Sequence, residues 1–260
     1  MENLNINNTQ QKSEFSVNTD IVKLPSQGYF YKDGTSEVVV EYMTATDEDI
    51  LTNVGYMKNG IQFDKLLEKK IKDKNVKVNE LLSGDKNAIL MHLRITGYGA
   101  DYEVTVTDPN EYGDNANFKA VVDLEKLTEF KEVKELPDAD LLFSFLLPLS
   151  KKNIKFRLLN SGEESNLEKR VLDYSKKLNT LPGLRTERLK EQIMSIEGEN
   201  SKTYISNFVS VMSPKDASAL RKYINEVTPN LVLDYEFVNP NTGGRFRDIV
   251  PISGDFFYPN

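Results

Sequence analysis

One imidazole and no thiol leave this chain a narrow chemical repertoire. His92 is the single histidine of 260 residues, and cysteine is absent. Disulfides and thiolate metal sites are therefore excluded. A Ser-His-Asp arrangement would have to use His92, and no Gly-x-Ser-x-Gly turn is present to present the serine. His92 falls among Ile89, Leu90 and Leu93 in a helical segment and reads as a core or boundary residue. The stretch Ser83-Gly84-Asp85-Lys86-Asn87 has the wrong glycine spacing for a phosphate loop and reads as the cap of its helix. Gly113-Asp114-Asn115-Ala116-Asn117 lacks the acidic spacing and terminal glutamate of a calcium loop. Carboxylates are plentiful, and a pair assembled in three dimensions could act on a glycan, but no local pattern argues for one. The residue types point to a non-enzymatic protein with no catalytic, cofactor-binding or metal-binding set.

What repeats is a turn. Asp108-Pro109-Asn110-Glu111-Tyr112-Gly113 and Asn239-Pro240-Asn241-Thr242-Gly243-Gly244 both read Asx-Pro-Asn-x-x-Gly. Asp108, Pro109 and Gly113, with Asn239, Pro240 and Gly244, are thus structural turn residues: proline fixes φ, the Asx side chain bonds its own backbone, and glycine accepts unusual angles. Each turn follows a helix containing Leu-Arg (93–94 and 220–221) and a strand containing Asp-Tyr-Glu (101–103 and 234–236). The second copy is two residues shorter between Asp-Tyr-Glu and the turn proline. Two explanations are open: coincidence of a common turn, or a duplicated helix-plus-hairpin unit.

The elements around these turns define an α+β chain. Residues 1–20 are rich in Asn, Gln, Ser and Thr, with sparse, aperiodic apolar residues. They are read as a disordered or partner-ordered arm, because too little apolar surface can be buried to offset ordering. An N-terminal α+β domain is expected over 21–130, with a strand at 36–43 and a helix opened by Thr46 and its following acids. Further helices are expected at 61–71 and 84–95, and a hairpin at 101–124. The lysine-rich run 68–77 is read as a solvated helix end, since acids interleave with it. A mainly helical C-terminal domain is expected over 131–260. It holds a buried apolar segment at 141–149, a strand at 153–159, and helices at 163–177, 186–196 and 201–212. Ser213-Pro214 then opens a helix to about 227, and a second hairpin covers 231–252.

The formal net charge of −7 and pI near 5.0 argue against sequence-independent nucleic-acid binding, which needs a basic footprint. No apolar run is long enough to span a bilayer. Aromatic clusters stand next to the expected flexible ends: Tyr29, Phe30 and Tyr31 after Leu24-Pro25, and Phe256, Phe257 and Tyr258 near the C-terminus. They fit either local core packing or anchoring against a neighbouring subunit, where aromatics dominate. These eight residues are the candidate partner interface.

The ordered set Leu24-Pro25-Ser26-x-Gly28, Tyr31, Gly34, Met43-Thr44, Asp47-Glu48, Gly84-Asp85, Leu93-Arg94, Tyr98-Gly99 and Tyr102 resembles the baseplate hub protein family of T-even-type contractile bacteriophages. The runs at 155–159, 213–224 and 256–259 also look like longer members, so the likeness spans roughly 24–260. The resemblance implies a structural protein of the virion tail baseplate, or alternatively an assembly chaperone not retained in the virion. It implies other baseplate and tail proteins as partners, a symmetric multi-subunit assembly, and residence in the host cytoplasm during assembly. No nucleic-acid or membrane partner is expected. Many relatives carry Cys-Pro-x-Cys at such a turn, which would suit a zinc-ribbon-like knuckle. Here Asp108 and Glu111, then Asn239 and Thr242, hold that spacing. Without thiolates no structural zinc is expected, and Asx hydrogen bonds with proline rigidity must hold the turns.

Overall fold

The computed structural model describes residues 16–178, 183–252 and 254–257. The fold is mixed α+β, with helices and small antiparallel sheets. Strand β1 (Thr19–Lys23) pairs antiparallel with β2 (Glu37–Glu41), and Val22, Val38 and Val40 turn inward. Helices α1 (Ala45–Leu51), α2 (Val54–Asn59), α3 (Gln62–Lys70) and α4 (Ser83–Tyr98) follow. The hairpin of β3 (Asp101–Thr107) and β4 (Asn117–Asp123) comes next, and its alternation of buried Tyr102, Val104 and Val106 matches the sequence period. The middle of the chain builds a three-stranded sheet from β5 (Phe143–Leu146), β6 (Asn153–Phe156) and β7 (Ile193–Ile196), in that order. Around it lie α5 (Ser161–Leu178), α6 (Leu184–Gln192), α7 (Lys202–Val211) and α8 (Pro214–Val227). The second hairpin, β8 (Asp234–Val238) with β9 (Arg245–Ile249), and a short 3-10 turn at 254–257 end the described chain.

Several local readings shift. The cap of α1 is Thr44, two residues before Thr46, because Asp47 then sits at the third helical position and returns a bond to the Thr44 N–H. Ile193 and Ile196 do not continue a helix from Thr186. They form β7, whose pairing with β6 buries both, and the helix ends at Gln192. Gly84 is more than a cap residue: a Cβ there would lie 2.2 Å from the Pro229 carbonyl oxygen, so only glycine lets α4 approach that backbone. Of the expected arm, residues 1–15 lie outside the described residues, while Thr19 and Asp20 already belong to β1. Lys70, in the run read as solvated, is fully buried.

Packing divides the chain differently from the expected boundary at 130/131. The first core joins residues from Val22 to Leu127 with Leu231, Phe237, Phe246, Val250, Phe256 and Phe257. The second contains Phe143 to Val227 together with Phe30 and Leu82. The C-terminal hairpin therefore belongs to the N-terminal unit, and the middle of the chain is an excursion from it. Its entry and exit run side by side: Lys131 N–H bonds Asn230 C=O at 2.8 Å, and Val232 N–H bonds Glu129 C=O at 2.8 Å. The reason is apolar area. A hairpin whose inner face carries Phe237 and Phe246 needs an apolar partner, and burying each such side chain is worth about 1.5–3 kcal/mol. The first hairpin supplies that partner.

Candidate functional site

The two Asx-Pro turns meet. Asp108 N–H bonds Ala116 C=O at 2.7 Å, and Asn239 N–H bonds Gly244 C=O at 2.9 Å, closing the two loops. In each loop the Asx Oδ1 accepts the N–H two residues on, from Asn110 and from Asn241, both at 2.9 Å. Two residues before each Asx stand Val106 and Phe237. Two residues after each closing carbonyl stand Phe118 and Phe246, and all four side chains are buried. Phe246 stacks on Phe237 at 5.7 Å between centroids and meets Phe118 edge-on at 6.1 Å. The hairpins are therefore equivalent in structure as well as in sequence. The two-residue difference in spacing appears as one pleat of strand length, seven residues in β3 against five in β8, which keeps the inward face inward.

Between the turns, Asn239 Nδ2 donates to Asp108 Oδ2 and to Asn115 C=O, both at 3.0 Å. Asp108 is 2% exposed and Asn239 is fully buried. The Asn239 bond, against the cost of burial, holds the Asp108 carboxyl below the usual carboxylate range. The first Asx position of each knuckle is thus occupied by a direct carboxylate–amide bond. Pro109 and Pro240 are exposed at the tips. Gly113 is left-handed as its place in the motif requires, but in the second turn the left-handed residue is Gly243 (φ 74°), not Gly244. The second loop closes five residues after its Asx against eight in the first, and its left-handed glycine comes one residue earlier in the motif.

The candidate interface aromatics divide. Leu24, Pro25, Phe30, Phe256 and Phe257 are buried and so form core, not partner surface. Phe256 meets Tyr102 edge-on at 5.1 Å, and Phe257 lies 5.5 Å from Phe63. Arg94, fully buried, donates to the carbonyls of Phe256 (2.8 Å), Gly99 (2.5 Å) and Asp101 (2.8 Å), fastening the tail to the end of α4. Among the seven described, Tyr29 alone is well exposed, at 55%. Tyr31 is half-buried, and Tyr258 lies outside the described residues.

Buried carboxylates serve as clasps. Asp47, Asp85 and Asp216 each occupy the third position of a helix, where the N-terminal dipole favours an anion. Asp216 accepts the N–H groups of Leu149 (2.7 Å) and Ser150 (3.1 Å), tying α8 to the β5–β6 loop. Burial opposes its charge, yet these bonds keep its carboxyl below the ordinary value. Asp47 faces Lys70 Nζ at 2.5 Å and Lys69 Nζ at 2.7 Å. Burial opposes its charge too, and the two lysines with Thr44 hold it low. Asp85 accepts from Ser26 N–H at 2.9 Å and from the Tyr31 hydroxyl at 2.5 Å, and Tyr31 Oη accepts Leu82 N–H at 2.8 Å. Here burial wins: the Asp85 carboxyl is raised despite the bonds from Tyr31 and Ser26. Burial and the facing Asp85 carboxylate also push the Tyr31 phenol far up. Ser26, Tyr31, Asp47, Asp85 and Arg94 were legible as a pattern, but their roles were not. The pairing of Asp47 with Lys70 had one sequence signal, the Thr44-x-x-Asp47 spacing that fixes the helix start.

No acid–base constellation emerges around His92. Its Nε2 is buried with no hydrogen-bond partner among the described residues and lies 3.5 Å from Asp20 Oδ2. Burial lowers its pKa against the pull of Asp20. Among the described residues no three His, Asp or Glu side chains gather as a metal-ligand set, and no helix is long and apolar enough to cross a membrane. A cleft of about 390 Å³ lies where the two cores meet, beside Phe30, Leu82 and Phe143. Its charged lining includes Arg157, which is engaged by both oxygens of Glu163 at 2.7 Å. Comparison with known proteins returns no match: no family model fits the chain, and no curated protein and no solved structure matches it.

Proposed function

We propose that this chain is a structural protein of the hub region of a contractile phage tail baseplate, working through protein–protein contacts. One observation carries the reading beyond the sequence resemblance: the polar residues that make up the resemblance are spent on holding the fold together. Ser26, Tyr31 and Asp85 form one clasp, Asp47 ends in a lysine pair, and Arg94 binds three backbone carbonyls. A shared pattern of that kind describes a scaffold rather than a reaction. Among the described residues, what the scaffold presents outward is unpaired strand edge and scattered apolar side chains, among them Ile21, Tyr29, Leu146 and Val211. In this reading the partners are other baseplate and tail proteins in a symmetric assembly. The protein resides in the virion tail and in the host cytoplasm during assembly.

Mass spectrometry of purified particles and of infected lysate tests this directly. The structural role requires the chain in mature particles at a fixed ratio to other tail proteins. Presence in lysate with absence from particles would replace it with a transient assembly chaperone. A cell-wall clearing assay with purified protein is expected to be negative across pH, and clearing would put a carboxylate-dependent hydrolase in its place.

A further inference from the structure

The chain's one imidazole sits where a neutral ring fits and a charged one does not. His92 lies on α4, which packs against β1, and its Nε2 is buried with no hydrogen-bond partner among the described residues. Asp20 Oδ2 of β1 is 3.5 Å away, beyond the length of an ordinary N–H···O bond. That same oxygen accepts the Tyr42 hydroxyl at 2.7 Å, and the Tyr42 ring meets the imidazole edge-on at 6.2 Å between centroids. The Asp20 side chain is 45% exposed, so water competes for it as well. A groove of about 240 Å³ borders the ring. Its lining brings one further charge, Lys23 of β1, which has the wrong sign to help, and otherwise Thr128 and apolar side chains such as Met91, Ile95 and Phe130. A proton on His92 therefore exchanges water for one long, shared contact. Burying a donor or a charge on such terms is unfavourable, and burial lowers the imidazole's pKa more than Asp20 raises it.

Of the two elements that enclose the ring, β1 is the one that can yield. It pairs with β2 along one edge, and no strand pairs with its other edge among the described residues. Of its five residues only Val22 is buried. Helix α4, by contrast, carries Ile89, Leu90, Met91 and Leu93 in the first core. Elements with few buried contacts open at the lowest free energy. A charge created between the two is thus relieved by movement of the strand, not of the helix.

We propose that His92 is a proton-operated catch: neutral, it lets β1 lie on α4, and protonated, it releases the strand while the rest of the first core stays closed. With the strand open, His92 is in water and titrates near its ordinary value of about 6.5. With the strand closed, it titrates lower. The open form therefore binds more protons. The closed form is favoured above the ordinary value and loses ground as pH falls through it toward the folded value. The carboxyls of Asp47, Asp108 and Asp216 are held low and stay charged in this interval. Protonation of Asp85, whose carboxyl is raised, works in the opposite direction.

Because His92 is the single histidine, the imidazole resonances of untagged full-length protein report one titration. They should titrate below about 6.5, and Asp20→Asn should move the midpoint further down by removing the one pull that raises it. Amide exchange, corrected for its intrinsic pH dependence, is read in parallel at about pH 7.5 and about pH 5, on either side of the ordinary histidine value. Exchange over residues 19–23 should speed up by at least about threefold relative to α4 in wild type. His92→Gln, which cannot take up a proton, should abolish that acceleration. A ring that titrates at or above its ordinary value, or a midpoint that Asp20→Asn leaves in place or raises, would overturn the inference. So would β1 exchange that is unchanged in wild type, or that accelerates equally in His92→Gln. The titration and the wild-type exchange decide the matter even where the glutamine variant does not fold, and neither depends on whether the protein is found in tail particles.

Discussion

Replacing Asn239 by Asp changes one atom for another of nearly the same size, yet it should be among the most damaging single substitutions in the chain. Asn239 is fully buried and donates both amide hydrogens, to Asp108 Oδ2 and to Asn115 C=O, each at 3.0 Å. Asn239→Asp converts both bonds into oxygen–oxygen contacts and places a second carboxylate against the first. Leaving a buried charge without compensation costs about 3–5 kcal/mol, and for a chain of this size that lowers the melting temperature by about 6–20 °C. The pH dependence has a definite sign. Like charges at contact raise the carboxyl pKa of the pair in the folded state. A raised folded-state value means that the pair's contribution is present below the unfolded carboxylate value of about 3.9 and is lost as pH rises through the folded value. The variant should therefore close its gap to wild type as pH falls from neutral. Asp108→Asn added to Asn239→Asp recreates an amide–carboxylate bond with donor and acceptor exchanged. Because each Oδ1 serves its own turn in the same way, the swap should recover the part of the loss that comes from the facing carboxylates, while the bond to Asn115 C=O stays broken. Thermal melts of the four proteins at several pH values complete the cycle. A single variant as stable as wild type at neutral pH, or one not rescued by the swap, would refute the bond between the turns.

Three further substitutions probe the clasps. Lys70→Met removes the buried partner 2.5 Å from Asp47 and a bond to Tyr42 C=O at 2.8 Å. With Lys69 still on the other oxygen, the low end of the buried-pair range applies, about 3 kcal/mol. Denaturant melts should show part of that returned by adding Asp47→Asn. Asp85→Asn tests the opposite pH sign from Asp47 and Asp216. Burial raises the Asp85 carboxyl in the folded protein, so its contribution is present below the unfolded carboxylate range and is lost as pH rises through the folded value. Wild type should gain stability relative to the variant as pH falls through the folded value, and the reverse trend in denaturation midpoints would reject this assignment. Arg94→Lys keeps the charge but cannot reach three carbonyls at once, since a lysine lacks the planar fork. A loss of about 2–4 kcal/mol is expected, with early amide exchange at Phe256 and Phe257 marking release of the tail.

Local order was largely readable, because it is written in nearest-neighbour terms. Ser213-Pro214 with Asp216 marks the start of α8, and the Ser213 side chain accepts Asp216 N–H at 3.1 Å as that spacing demands. Alternation places β3, β4, β8 and β9. The failures are of two kinds. Ile193 and Ile196, three apart, satisfy a helical spacing and break strand alternation, and pairing with β6, which carries a register shift at Lys155/Phe156, decides for the strand. The aromatic ends fitted either core packing or a partner interface because they border segments of polar composition. Phe256 and Phe257 nevertheless reach a core built by residues more than a hundred positions earlier, and no local pattern reports such a return. Lys70 was hidden for a related reason. A lysine among lysines reads as solvated until a buried carboxylate is placed against it.

The same return gives the repeated turn its structural role. Two hairpins, each with one apolar face, are marginal alone, and each needs another apolar face. A chain that makes the same hairpin twice can satisfy both by placing them against each other, whatever is inserted between. Here the insertion runs from about 131 to 229 and has its own core. Its ends are held together by the Phe130–Leu231 bridge, so the first unit closes without passing through the second. The Asx side chains then fix the pairing. Asn239 donates and the Asp108 carboxylate accepts, so the charge-assisted bond between them needs unlike turns. Two turns both carrying Asp would repel in the buried site, and two both carrying Asn would lose the charge assistance. The single difference between the echoed motifs at their first position is thus the difference that lets them meet.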